Sequence, residues 1–200
     1  MSRRYSCAQS WVGREYIRRA YEDLGDTYAT LGQTASALTA YLEALRLDLD
    51  DGTTYGRLMF AYAAMDRLAE AKAVYQQALA HNFNMPYLHQ SRYHVAFLEG
   101  DEPEMARQMA WGANKPGVED SFLIVASAKE EYYGHLLKRR ELTQRAIESA
   151  QRNNKKETAA NYESMLPGRK RIVAISFGPA RTRKPHWLER RALMSKLQQL

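Results

Sequence analysis

Apolar residues in the segment 31–48, LGQTASALTAYLEALRLD, recur three or four positions apart, as they do on one face of a helix. Leu38, Tyr41 and Leu45 form the stripe, and alanines lie on it or beside it. A small side chain on an apolar stripe lets a second backbone come close, so the pattern predicts a helix packed against partners on more than one side. The alanines are Ala35, Ala37, Ala40 and Ala44.

The same pattern returns after a fixed interval of 34 residues. Tyr21 then meets Tyr55 and Leu24 meets Leu58, so whole helical faces coincide rather than single residues. A period held through several units without an insertion is typical of a repeat array, in which each unit buries its apolar face against its neighbours. The positions that keep their character are Gly32, Asp66, Gly100 and Gly134 at a helix end, and the small residues Ala44, Ala78, Gly112 and Ala146.

Each unit is predicted to contain two helices joined by a tight turn. Gly32 lies where the first helix of its unit ends, because glycine takes a positive φ at little cost. Pro86 marks the start of a later helix, where its missing N–H leaves no hydrogen bond unmade. We therefore predict an all-α fold, a right-handed solenoid of antiparallel helix pairs with about four repeats and a partial fifth. The predicted helices run over about 18–31, 34–47, 53–65, 68–81, 87–99, 102–113, 120–133, 137–152 and 155–165.

The first unit carries Leu24, Gly25, Tyr28, Ala37, Tyr41 and Ala44 at fixed positions of its two helices. This 34-residue helix-turn-helix unit resembles the tetratricopeptide repeat. The resemblance covers about residues 18–165; in the third unit Met105 and Met109 replace a small and an aromatic residue, and in the fourth Arg139 takes an alanine position. It implies a scaffold that binds a protein or peptide partner in the concave groove of the array.

Three further stretches carry a narrower resemblance: YGRLMFAYAAMDRLAEAKAVYQQAL, AFLEGDEPEMARQMAWGANKPGVED and KKETAANYES. They are similar to the tetratricopeptide region of acidobacterial serine/threonine kinases and related bacterial signalling proteins. In that family the region is regulatory or protein-binding, and catalysis belongs to a separate domain. The resemblance therefore implies a role in bacterial signalling or regulation.

Motifs of catalysis are absent from the sequence. It contains no glycine-rich phosphate loop, no HRD and no DFG, and SFGP at 176–179 lacks the metal-binding aspartate. The segment DLDDG at 48–52 has its glycine one position too early for a calcium loop. His89 and His94 lie five positions apart, on different faces of a helix, which disfavours a shared metal. We predict a protein that is not an enzyme, with no catalytic residues, no cofactor and no metal.

The net charge of +6 is concentrated in the tail, residues 166–200, which follows a predicted extension (1–17) and repeat array (18–165). The tail has nine lysine and arginine residues against one glutamate, whereas the remaining chain has 20 basic and 22 acidic residues. Phe177 and Trp187 are interleaved with these bases, as in proteins that combine phosphate contacts with base stacking. Other interpretations of the tail are a solvated extension or a frame change that replaced the expected continuation. Nucleic-acid or polyanion binding is the alternative function, through Arg169, Lys170, Arg171, Arg181, Arg183 and Lys184.

Cysteine content and hydropathy indicate the compartment. Cys7 is the only cysteine, so the chain cannot form an internal disulfide, and nothing in the composition indicates an oxidising environment. No stretch approaches the roughly 20 apolar residues that a membrane span needs. We expect a cytoplasmic protein that does not contact a membrane.

Residues of each first helix that point away from its partner helix are expected to line the concave surface. This surface runs from acidic in the first unit to aromatic in the middle, and would suit a ligand with an apolar anchor and a basic residue toward the first unit. Alternatively, Phe60 and Phe97 pack between adjacent first helices. The predicted binding residues are Glu22, Asp26, Arg57, Phe60, Gln90, His94, Phe97 and Tyr132, with Arg19, Ala29, Ala64, Ile124 and Glu131 beside them.

Overall fold

The computed structural model describes residues 2–166, with side chains from Gly13 onward. Within this range the chain forms nine helices and no strand. The six predicted polyanion-binding residues and the rest of the tail lie outside the described residues. The helices are α1 (Ser2–Thr30), α2 (Thr34–Leu47), α3 (Gly52–Ala64), α4 (Leu68–Ala80), α5 (Pro86–Glu99), α6 (Glu102–Gly112), α7 (Glu119–Tyr132), α8 (Leu136–Arg152) and α9 (Lys156–Ser164).

Successive helices form pairs, α1 with α2, α3 with α4, α5 with α6 and α7 with α8, and α9 begins a fifth unit. Connections of two or three residues join the helices within each pair, which makes them antiparallel neighbours. This arrangement confirms the predicted all-α solenoid of helix pairs. None of the described helices combines the length and the apolar character that crossing a membrane requires.

All helix ends lie within one residue of the prediction, except the start of α1. This helix begins at Ser2 rather than near residue 18, so the predicted extension 1–17 continues the first helix of the array. The physical reason is local: the extension contains no proline and a single glycine, Gly13, so nothing in it stops a helix. The repeat period predicts where the first unit begins but carries no information on what precedes it.

The turns within the units use the left-handed backbone that the repeat register predicts. Gly32, Gly100 and Gly134 have φ of 73°, 71° and 77°, and Asp66 has φ of 60° at the equivalent position of the second unit. Aspartate tolerates this region better than most side chains, which explains why it can replace glycine there. The spacing of 34 residues therefore located four turns of one type.

Small residues at the helix crossings are all buried, as predicted. Ala44, Ala78 and Ala146 have no exposed surface. At the equivalent position of the third unit a Cβ on Gly112 would lie 2.5 Å from the ring of Phe122, so only glycine fits there. Close approach of neighbouring helices thus depends on small residues at these positions.

Apolar side chains form two main clusters. The first extends over α2 to α5, with Tyr55, Leu58 and Leu88 almost fully buried. The second extends over α7 to α9 and is built around Leu123, Ile147, Ala150 and Tyr162. A small cluster of Tyr93, Ala96 and Met105 lies between them in the chain. The first cluster supports the first helices of units one to three, where the candidate site is found.

Candidate functional site

A cavity of 340 Å³ opens between α1, α2, α3 and α5. We call it the first-helix cavity. It brings together five residues that the helical period predicted for the concave surface: Asp26, Ala29, Arg57, Phe60 and Ala64. Its other lining residues are Thr34, Ala37, Tyr41, Ala61 and Tyr87.

An ion pair forms the polar side of the first-helix cavity. Arg57 holds Asp26 through two bonds, Nε to Oδ1 at 3.1 Å and Nη2 to Oδ2 at 3.2 Å. Tyr41 donates its hydroxyl to Asp26 Oδ1 at 2.7 Å. Burial and the neighbouring carboxylate raise the pKa of Tyr41, which keeps it a phenol able to donate. Burial alone would lower the pKa of Arg57, but the bond to Asp26 raises it, so the guanidinium stays charged.

Glu22, predicted to line the groove, lies beneath the surface and is only 7% exposed. Its Oε1 accepts bonds from Arg18 Nη1, at 2.7 Å, and from the hydroxyl of Thr54. Burial raises the pKa of Glu22, and a hydrogen bond with Asp51 raises it further. Its carboxylate therefore joins α1 to the start of α3 rather than facing a ligand. The helical period identified the correct face of α1, but not Thr54 of α3, 32 positions away, whose hydroxyl also binds this carboxylate.

Aromatic rings form the apolar wall of the first-helix cavity. Phe60 is half-buried, and its ring centroid lies 5.9 Å from that of Tyr87 and 5.2 Å from that of His94. Phe60 thus packs between adjacent first helices and also lines the cavity. Sequence reasoning missed Tyr87, although it lies three positions before Gln90 on the same face of α5 and the helical period would have found it.

His94 lies beside this wall as an unpaired polar group. Its ring contacts Phe60 and Tyr93, but it makes no hydrogen bond or ion pair within the part of the chain that the structure describes. Burial lowers the pKa of His94, so the imidazole is neutral at pH 7 and offers one donor and one acceptor. A polar group of this kind between aromatic rings is suited to hydrogen-bond a ligand.

The remaining predicted residues lie further along the array, outside the lining of the first-helix cavity. Gln90 donates to Ser121 Oγ at 2.6 Å and so joins α5 to α7. The half-buried ring of Phe97 meets Tyr132 edge-on, with centroids 5.3 Å apart, and Tyr132 is 49% exposed. These two aromatic residues form a second patch near the end of α7. Among the described residues, no three His, Cys, Asp or Glu side chains come together to hold a metal ion.

Comparisons with known proteins agree with this architecture. Residues 19–51 match the tetratricopeptide repeat family, which confirms the resemblance for the first unit. A solved structure described as the functional characterisation of Pseudomonas aeruginosa PilF superposes with a TM-score of 0.54 at 15% identity, over 76% of each chain. YrrB, described as a tetratricopeptide protein with an unusual peptide-binding site, has a TM-score of 0.39 at 17% identity, over 73% of this chain and 91% of its own. No curated protein matches the chain at a significant level.

Proposed function

We propose that this tetratricopeptide-repeat array is a non-enzymatic scaffold that binds a segment of a partner protein on the surface formed by its first helices. The observation that carries the proposal is the first-helix cavity, because three successive first helices contribute to its lining. A surface assembled from several repeats suits an extended peptide or a helix, which can contact each unit in turn.

The chemistry of the first-helix cavity indicates what the ligand presents. Its volume of 340 Å³ lies at the low end of the range for small-molecule pockets, which suits a single large side chain better than a cofactor. Phe60 and Tyr87 supply an apolar wall, so the inserted side chain is apolar or aromatic. His94 lies at the edge of this wall and can bond a backbone amide of the ligand on either side of the anchor.

Charge contributes less to the proposed recognition than the sequence indicated. Asp26 is bound by Arg57, and the buried Glu22 is bound by Arg18 and Thr54, so neither carboxylate needs a basic ligand residue. The ligand is therefore selected mainly by its apolar anchor, and binding should depend only weakly on salt.

A regulatory setting follows from the narrower sequence resemblance. We place the scaffold in bacterial signalling, like the tetratricopeptide region of the kinases that its sequence resembles. Its cytoplasmic location stays a prediction, as does polyanion binding through the tail, whose residues lie outside the described range.

The test uses the full chain and a displayed library of random peptides. We expect selected peptides to share an apolar anchor, and Phe60→Ala to weaken the best of them by about 30-fold, since loss of an anchor contact removes about 2 kcal/mol. Leu79→Ala is the control, because Leu79 is a large apolar residue that is 38% exposed and lies on α4 outside the cavity lining.

Circular dichroism of each variant separates binding from stability. An unchanged melt with weakened binding supports the proposal. If Phe60→Ala binds as tightly as the parent, the first-helix cavity is not the site. If it melts early, His94→Gln gives the decisive measurement, since this substitution leaves the aromatic wall in place and should still weaken binding.

A further inference from the structure

A stripe of exposed side chains follows the outer face of α1. Ile17, Leu24 and Leu31 lie seven positions apart, on the helix or directly after its end, and are 51%, 41% and 65% exposed. The small residues Gly13, Ala20 and Thr27 alternate with them along the helix and are also exposed. Bulky and small residues thus alternate at the a and d positions of a heptad pattern, which is the arrangement that packs one helix against another.

The repeat itself shows that this face normally has a partner. Leu24 and Leu58 occupy the same position of successive units, but Leu24 is 41% exposed and Leu58 only 1%. Leu58 belongs to the cluster that includes Leu38 and Tyr41 of the preceding unit's second helix, whereas no described helix covers Leu24. The first unit therefore presents a surface that a helix covers in the second unit.

Alternation of side-chain size indicates which helix fits this stripe. In an antiparallel pair of helices the a positions of one face the d positions of the other, so a bulky residue meets a small one in every layer. A parallel pair would place bulky against bulky and small against small. The stripe is therefore complementary to a reversed copy of itself, as a two-fold interface requires.

We infer that the protein forms a two-fold dimer in which α1 packs antiparallel against α1 of a second copy, with Leu24 of each chain over Ala20 of the other. From Gly13 to Leu31 the stripe is about 27 Å long at 1.5 Å per residue. This is long enough for several such layers.

Polar groups along the stripe are compatible with this contact. The hydroxyl of Thr27 donates to the carbonyl of Asp23 at 2.7 Å, so its hydrogen bond is already made within the helix. Arg19 pairs with Glu15 at 2.8 Å, so neighbouring charges are of both signs and a second copy does not face a block of like charge. The buried side of α1, with Arg18 and Glu22, faces the array, so pairing leaves the first-helix cavity open.

Sedimentation of the full chain across the micromolar range tests the inference. We expect a concentration-dependent dimer, and Leu24→Glu or Ile17→Glu should raise its dissociation constant at least tenfold, because each buries a carboxylate in the apolar layer. Leu137→Glu is the control, since Leu137 is 86% exposed on α8 and should leave the dimer intact. Circular dichroism checks that each variant keeps its helices.

The relative direction of the two α1 helices in the dimer is tested by a separate measurement. With Cys7 replaced by serine and a nitroxide label at Thr30, an antiparallel pair centred near residue 22 places the two labels about 24 Å apart along the axis, from the helical rise. A parallel pair would bring them side by side. A monomer at all concentrations, a dimer disrupted equally by Leu137→Glu, or adjacent labels would each overturn the inference.

Discussion

The second unit (α3 with α4) and the third (α5 with α6) have the same pair of helices, but they bury different kinds of residue. The second unit buries Tyr55 and Leu58 in the first apolar cluster. At the equivalent positions, 34 residues on, the third unit buries His89 and Arg92. An aromatic and an aliphatic residue have thus been exchanged for two polar ones without loss of the helix pair.

Both buried polar residues of the third unit, His89 and Arg92, have polar partners. Arg92 binds Glu104 through Nε, with Nε and Oε1 3.2 Å apart, and Glu99 through Nη1. His89 Nδ1 lies 2.7 Å from Gln108 Oε1, and His89 Nε2 lies 2.7 Å from Asn84 Oδ1. Buried polar groups are tolerated when they are paired in this way. The comparison shows that the residues at the helix crossings and turns determine the helix-pair geometry. The buried positions between them accept either apolar residues or paired polar ones.

Breaking the third unit's ion pair should have the largest effect on stability. Arg92→Ala leaves the buried Glu104 with only Arg107, whose side chain is 67% exposed, as an ion-pair partner among the described residues, and should lower the free energy of unfolding by about 3 kcal/mol, measured by urea denaturation. Replacing both residues by leucine should recover most of this loss, because the cost lies in the unpaired charge. A loss below about 1 kcal/mol for Arg92→Ala would mean that the pair is not buried in solution.

A smaller difference is expected at the helix crossing. Ala71 is fully buried in the second unit, so Ala71→Leu should overpack it and lower the free energy of unfolding by about 1–3 kcal/mol. Met105 takes this position in the third unit, and Met105→Leu keeps the volume and should change stability by less than about 1.5 kcal/mol. Equal losses in thermal or urea melts would show that the third unit has not adapted to its larger residue.

The smallest effect is the dependence of stability on pH that comes from His89 of the third unit. Burial lowers the pKa of His89, assisted by Lys115 and opposed by Gln108 and Glu104. The unfolded chain then binds a proton more readily than the folded one, so stability should fall as pH drops below about 6.5 and level off once the folded state is protonated. His89→Gln should reduce the fall in melting temperature between pH 7 and pH 5. His94→Gln measures separately the contribution of His94, whose pKa burial also lowers.

Sequence was sufficient for features that depend on local spacing. The turn at Asp66 and the buried alanine at Ala71 follow from one period, because each repeat reproduces the backbone of the one before. The exchange at Arg92 did not follow, because its partner Glu104 is on the next helix and nothing in the period connects them. The burial of Glu22 did not follow either, because its carboxylate also binds Thr54 of α3, 32 positions away, a contact that the period of one helix does not give.

In the candidate site, too, the sequence predicted what depends on local spacing and not the contacts between distant residues. The helical period selected Asp26, Arg57 and Phe60 for one surface, and the structure brings them into one cavity. It could not reveal that Arg57 neutralises Asp26, a contact between residues 31 positions apart. The sequence predicted an acidic surface, whereas the cavity is neutral and apolar. The ligand that we propose is therefore selected by an apolar anchor rather than by a basic residue.

The separation of the two apolar clusters has a consequence for motion. Because α7, α8 and α9 share a cluster of their own, the last units can open without disturbing the cluster beneath the first-helix cavity. Amide hydrogens of α8 should then exchange with solvent by partial opening, while those of α3 exchange only when the whole array unfolds. Binding at the first helices should therefore slow amide exchange in the first units and leave exchange in α8 unchanged.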